Sequence, residues 1–182
     1  MKFTMFDFTE HWASIYKPIR HDMSPNAQPA RKRFFFIDNF NKLMNLAKEL
    51  PTLGGPFVAM ESNMAGDIDE RFLVPEYSVY FFVQAKPKAQ GNDVQDMLAK
   101  QEAMHHAVAY VNYIRTQQRL HENDMDSPLM GVDLESVHFE TFGPSYNRWY
   151  CVGIAFNECM RFSNCVNNED YLTDDEDYNA TV

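Results

Sequence analysis

Between Asp93 and about Arg119, apolar residues recur at three- and four-residue steps: Val94, Met97, Leu98, Met104, Val108, Val111 and Ile114. That spacing lays them along one stripe of a helix with a period of 3.6, and predicts a single long helix packed through that stripe on a sheet. Gln95, Asp96, Lys100, Glu102 and Gln117 fall largely off the stripe. Asn92 or Asp93 offers a side-chain oxygen to the unpaired amides of the first turn, and Gly91 marks the break before it. At about 1.5 Å per residue such a helix is roughly 40 Å long, enough to cross a whole sheet.

The segments on either side supply that sheet. Near the start, Asp7 caps a short helix in which Phe8, Trp12, Ile15 and Tyr16 share a face. Pro18, Pro25 and Pro29 break regular structure, so residues 21–33 are read as an irregular loop. Phe34 to Ile37 is a short buried run, and Asp38 caps a second short helix through Phe40, Leu43, Met44, Ala47 and Leu50, ended by Pro51, Gly54 and Gly55. From Pro56 the period changes to two. Phe57 to Glu61 reads as a strand, Asn63 to Asp69 as a loop around Gly66, and Arg71 to Gln84 as a long strand. Tyr77, Val79, Phe81 and Val83 share one face of that strand, and Tyr80 and Phe82 the other, while Pro75 calls for a bend or an edge position.

After the long helix, His121 to Gly131 is a polar loop and Glu135 to Phe142 alternates as a strand. Gly143 to Asn147 supplies turn chemistry, and Trp149 to Phe162 is a further long strand with Tyr150, Val152, Ile154 and Phe156 opposite Trp149, Cys151, Ala155 and Cys159. The pattern predicts one α+β domain over residues 1–162. Its antiparallel sheet is built from two long hairpins packed against one long helix, with short N-terminal helices.

Charge adds a division of the chain. The formal net charge is −10, which argues against a general nucleic-acid binder, whose affinity comes from Lys and Arg neutralising phosphates. No Lys or Arg follows Arg161, whereas Glu169, Asp170, Asp174, Asp175, Glu176 and Asp177 crowd the end. Residues 163–182 are read as an acidic, flexible tail, of which Thr173 to Val182 is expected to be dispensable for folding. Cys151, Cys159 and Cys165 have no metal-type spacing and are expected to be reduced and buried. No apolar run approaches 18 residues, so a soluble protein without a membrane span is expected, made inside the cell.

The search for chemistry is mostly negative. Glu102 and His105 form one Glu-x-x-His step of the kind that di-iron bundles use, but the second step those sites require is missing. His105 and His106 lie about 100 degrees apart around a helix, unsuited to chelating one ion. His138 beside Glu140 reads as a polar strand pair. The basic run Arg31, Lys32, Arg33 reads as a solvated loop, with contact to phosphate or an acidic partner as the alternative. No catalytic, cofactor-binding or metal-binding residues are assigned, and no enzymatic activity is expected.

The order of elements, closing with the run Phe142-Gly143-Pro144-Ser145-Tyr146-Asn147-Arg148-Trp149-Tyr150-Cys151-Val152-Gly153-Ile154-Ala155-Phe156, resembles the tail terminator and tail completion proteins of tailed bacteriophages. The likeness covers roughly residues 6–162. It lies in architecture and in the Asn147-containing turn and small Gly153 of the last strand. The proline-containing 21–33 segment and the acidic tail are departures from it. The resemblance implies a structural virion protein, assembled in the host cytoplasm. It would form a homo-oligomeric ring at the neck or tail, against portal, neck or tail proteins, with DNA only in transit through its channel. Two other classes stay open: a non-viral α+β binding module that uses an aromatic sheet face, and a small hydrolase or metal enzyme.

Overall fold

The computed structural model describes residues 4–37, 55–61, 65–68, 72–86, 92–122, 128–158 and 160–161. The second short helix expected after Asp38, the tail at 163–182, and Cys159 and Cys165 lie outside the described residues. The first helix, α1, runs Met5–Ile15. Its cap is Thr4, not Asp7: the Thr4 hydroxyl accepts from the Asp7 amide at 3.2 Å, and the Asp7 carboxylate accepts from the Thr4 amide at 2.8 Å. This reciprocal pairing satisfies two otherwise unpaired donors and holds the Asp7 carboxyl below its usual range. The buried face of α1 is Met5, Phe8, Thr9, Trp12 and Ala13, while Ile15 points to solvent.

Among the described residues seven strands form one sheet: β1 Phe34–Ile37, β2 Phe57–Glu61, β3 Ala65–Ile68, β4 Phe72–Gln84, β5 Val132–Phe142, β6 Trp149–Glu158 and β7 Met160–Arg161. The order is β1-β2-β4-β6-β5, with β3 and β7 both pairing with β4. The sheet is mixed, which corrects the expectation of a wholly antiparallel one. β1 runs parallel to β2, and the 38–56 connection is long enough for the crossover that a parallel pair requires. β2 pairs with β4 and β5 with β6, both antiparallel, and the pairing of β4 with β6 joins them in one sheet.

The expected loop around Gly66 is instead strand β3, which continues the edge of β4 begun by β2, so that Gly66 faces Pro75. Pro75 pairs with Gly66 on one side and, among the described residues, has no ladder partner on the other. The ladder to β6 begins at Glu76↔Asn157, and β7 resumes it at Leu73↔Met160, so the missing amide falls where that ladder is interrupted. Gly143 (φ 110), Asn147 (φ 58) and Arg148 (φ 59) take left-handed conformations in the tight connection from β5 to β6.

The long helix, α2, runs Asn92–Leu120 and packs on β4 and β6. Its buried face coincides with the predicted stripe only at Val111 and Ile114. Ala99, Ala103, His106, Ala107, Tyr110, Val111 and Ile114 are buried, whereas Val94, Met97, Leu98 and Val108 are exposed. The sheet face beneath carries Tyr77, Val79, Phe81, Val83, Tyr150, Val152, Ile154 and Phe156, so the bulk of the core comes from the strands. In a close-packed interior the rings leave little room opposite the first half of the helix, where alanines at four-residue steps fill the space, and Tyr110, Val111 and Ile114 fill it further along. Tyr110 reaches through this core to α1. The Thr9 hydroxyl gives its hydrogen to the Met5 carbonyl at 2.7 Å, so the Tyr110 hydroxyl donates to Thr9 at 2.8 Å.

The opposite sheet face holds a second buried cluster of Ile37, Phe57, Ala59, Tyr80, Phe82, Trp149 and Cys151. Phe57 and Phe82 stack with centroids 4.5 Å apart, and Trp149 meets Phe57 edge-on at 5.0 Å. Strand alternation of period two places the even and odd residues of β4 and β6 in these two cores, as their sequence predicts.

Candidate functional site

The histidine and carboxylate pairs fall apart spatially. Glu102 approaches His106 and not His105: the Nε2–Oε1 separation is 3.7 Å, longer than a hydrogen bond. The Tyr16 hydroxyl lies 3.0 Å from His106 Nδ1, and burial, reinforced by neighbouring His105, pushes the His106 ring down to about 4. His106 is thus a neutral core residue at neutral pH, with Nε2 lacking a hydrogen-bond partner. His105, His138 and Glu140 are exposed. Cys151 is a buried thiol whose pKa desolvation raises well above the usual value. Among the described residues, no group of three or more His, Cys, Asp and Glu side chains is placed to share a metal ion.

Tyr77 to Gln84 of β4 and Trp149 to Phe156 of β6 are central and largely buried on both faces. Tyr80 is 9% exposed, donates to Glu61 Oε2 at 3.2 Å, and is pushed up to about 12 by burial and then by Glu61. The same burial closes the aromatic sheet face that a ligand-binding module would have to keep open.

What faces outward is different. Val94 (54%), Met97 (51%), Leu98 (47%) and Val108 (42%) form the exposed side of α2, continued between Leu98 and Val108 by exposed Gln101 and His105. Among the described strands β1 and β5 end the main path of the sheet, and each carries an exposed ring, Phe36 on β1 (53%) and Phe139 on β5 (38%). β5 is eleven residues long, and among the described strands only β6 pairs with it. A long edge with an apolar residue is a template for strand pairing with another chain. The periodicity of α2 grouped Val94, Met97, Leu98 and Val108 with Val111 and Ile114 in one stripe, but the structure divides that stripe between solvent and core.

The Arg31-Lys32-Arg33 run belongs to a structured site. Arg31 and Arg33, but not Lys32, join Lys17 and Arg20 around a groove of about 750 Å³ behind the end of α1. His21 fixes its floor. His21 Nδ1 accepts from the amides of Arg33 at 3.0 Å and Phe34 at 3.1 Å, so Nε2 carries the hydrogen facing Glu10 Oε1 at 3.2 Å. The Asp22 amide donates to the Arg31 carbonyl at 3.0 Å, and the Asp22 carboxylate accepts from the Ser24 amide at 3.0 Å. The Arg33 guanidinium, half-buried, reaches the Pro56 carbonyl at 3.4 Å. Sequence spacing gave no sign of this groove, since Lys17 and Arg20 meet Arg31 only through the turn that follows α1.

Among known proteins, no family model, no curated protein and no solved structure matches this chain.

Proposed function

We propose that this chain is a structural protein of a tailed-bacteriophage virion, one subunit of a ring at the neck or tail. In this reading the ring joins head to tail, contacts neighbouring portal, neck or tail proteins, and surrounds a channel that DNA crosses without sequence-specific binding. The single observation that supports it best is the pair of unlike outward surfaces: the aliphatic side of α2 and the long edge strand β5. Ring closure needs two different complementary patches on one subunit, and a contact between them repeats by rotation until it closes. The resemblance of the sequence to tail completion proteins points in the same direction. The net charge of −10 suits a wall along which DNA slides, because like charge disfavours adhesion.

Native mass spectrometry and negative-stain imaging of the purified chain, alone and mixed with the products of adjacent genes, test this. A closed ring is expected. Leu98→Asp is expected to disperse it into folded monomers, since interface anchors are apolar groups in desolvated positions. A chain that stays monomeric at every concentration and with every neighbour would overturn the reading.

A further inference from the structure

The groove beside His21 concentrates positive charge on an acidic protein. Lys17, Arg20 and Arg31 line it beside the half-buried Arg33, and Asp22 supplies the one carboxylate among its described lining residues. Glu10 stands behind it on His21 Nε2. The backbone bonds to His21 and Asp22 hold the groove open in a fixed shape, and guanidinium groups in such a frame suit carboxylate or phosphate oxygens.

The strongest complementary charge lies in the same chain. Glu169, Asp170, Asp174, Asp175, Glu176 and Asp177 follow Arg161 with no Lys or Arg among them. The sheet separates the two. The groove adjoins the start of β1, where the Val58 amide donates to the Arg33 carbonyl and Val58 faces Phe81 of β4. The described chain ends at Arg161, beside Phe72 at the other end of β4. Phe72 and Phe81 are about 30 Å apart at roughly 3.3 Å per residue. Residues 161 to 169 reach at most about 29 Å when fully extended.

We propose that the groove binds the acidic 169–177 segment of a second copy of this chain, linking copies end to end. Seating the whole 169–177 segment in its own groove would hold residues 162–168 nearly fully extended along the sheet, at the entropy cost of every residue so fixed. Copies placed end to end bring the two charges together directly. Nucleic acid is the weaker occupant, because the remaining surface of so acidic a chain repels phosphates. The inference goes beyond the ring and does not depend on it, since an end-to-end contact gives a ring or an open chain according to its rotation.

The test uses full-length chains. One variant neutralises the segment (Asp174→Asn, Asp175→Asn, Glu176→Gln, Asp177→Asn), and another reverses the groove (Lys17→Glu, Arg31→Glu), both with unchanged melting temperature expected. Sedimentation should show wild-type self-association reduced about tenfold in each variant, and about tenfold again between roughly 50 and 300 mM salt, as screening shortens the reach of exposed charges. Mixing the two variants should restore a heterodimer, because one keeps the groove and the other the segment. A labelled synthetic peptide of residues 166–179 should bind the segment-neutral chain and not the groove-reversed one. Failure of the peptide to bind, equal binding to both variants, or no complementation on mixing would overturn the proposal. So would tighter capture of inorganic phosphate or a single-stranded oligonucleotide than of the peptide in the same groove.

Discussion

Burial of His106 and of Glu158 ties stability to pH in opposite directions. The His106 ring is held at about 4 against an ordinary 6.5, so on acidification the unfolded chain takes up the proton first. Its contribution is complete above pH 6.5 and is lost as pH falls towards 4, about 3 kcal/mol in all at ~1.4 kcal/mol per tenfold. His106→Gln should therefore flatten the fall in melting temperature between pH 6.5 and 4, measured by calorimetry across that range. Glu158 is raised by burial, against the opposing hydrogen bond from Tyr77. Its contribution is present below its ordinary 4.5 and lost as pH rises through the folded value, so Glu158→Gln should raise the melting temperature most at neutral pH. Gly153 is a different kind of constraint. A Cβ there would stand 3.1 Å from the rings of Phe142 and Tyr80, which cross the bare backbone of β6. Gly153→Val should cost about 1–3 kcal/mol in denaturant unfolding, as overpacked cores do. The residue types at these sites were legible, but their roles were not: His106 looked like half of a histidine pair until Tyr16 and the sheet closed over it.

At the scale of elements, α2 carries the main correction and its sharpest test. Ala103 is fully buried against the aromatic sheet, whereas Val108 lies outside. Ala103→Leu should lower stability by about 1–3 kcal/mol, and Val108→Asp should change monomer stability by no more than about 0.5 kcal/mol while weakening assembly. Thermal melts and sedimentation of the two variants separate these effects. The sequence pattern favours the large aliphatics as the core face, because transfer from water rewards size. The sheet reverses the choice over the first half of the helix, where its own rings occupy the volume and Ala99, Ala103 and Ala107 fit against them, while Tyr110, Val111 and Ile114 are buried further along. β4 and β6 were easier to read, since strand alternation has one period and both of their faces are apolar. β3 escaped notice because a four-residue strand around glycine, Ala65–Ile68, carries no alternation signal of its own.

For the whole molecule, the acidic segment and the packed domain predict separate behaviours. Deleting residues 173–182 should leave the melting temperature unchanged, since that composition cannot support a core, and should remove the salt-sensitive self-association described above. A drop in melting temperature would instead tie the segment to the fold. The sequence by itself determined the α+β class, the long helix, the long strands β4 and β6 and the division of their residues between two faces. Each of these follows from local periodicity. Tertiary structure decided the parallel pairing of β1 with β2, the side of α2 that meets the sheet, and the meeting of Lys17 and Arg20 with Arg31. These depend on which distant surfaces fill which volumes, and periodicity within one segment carries no record of the volume opposite it.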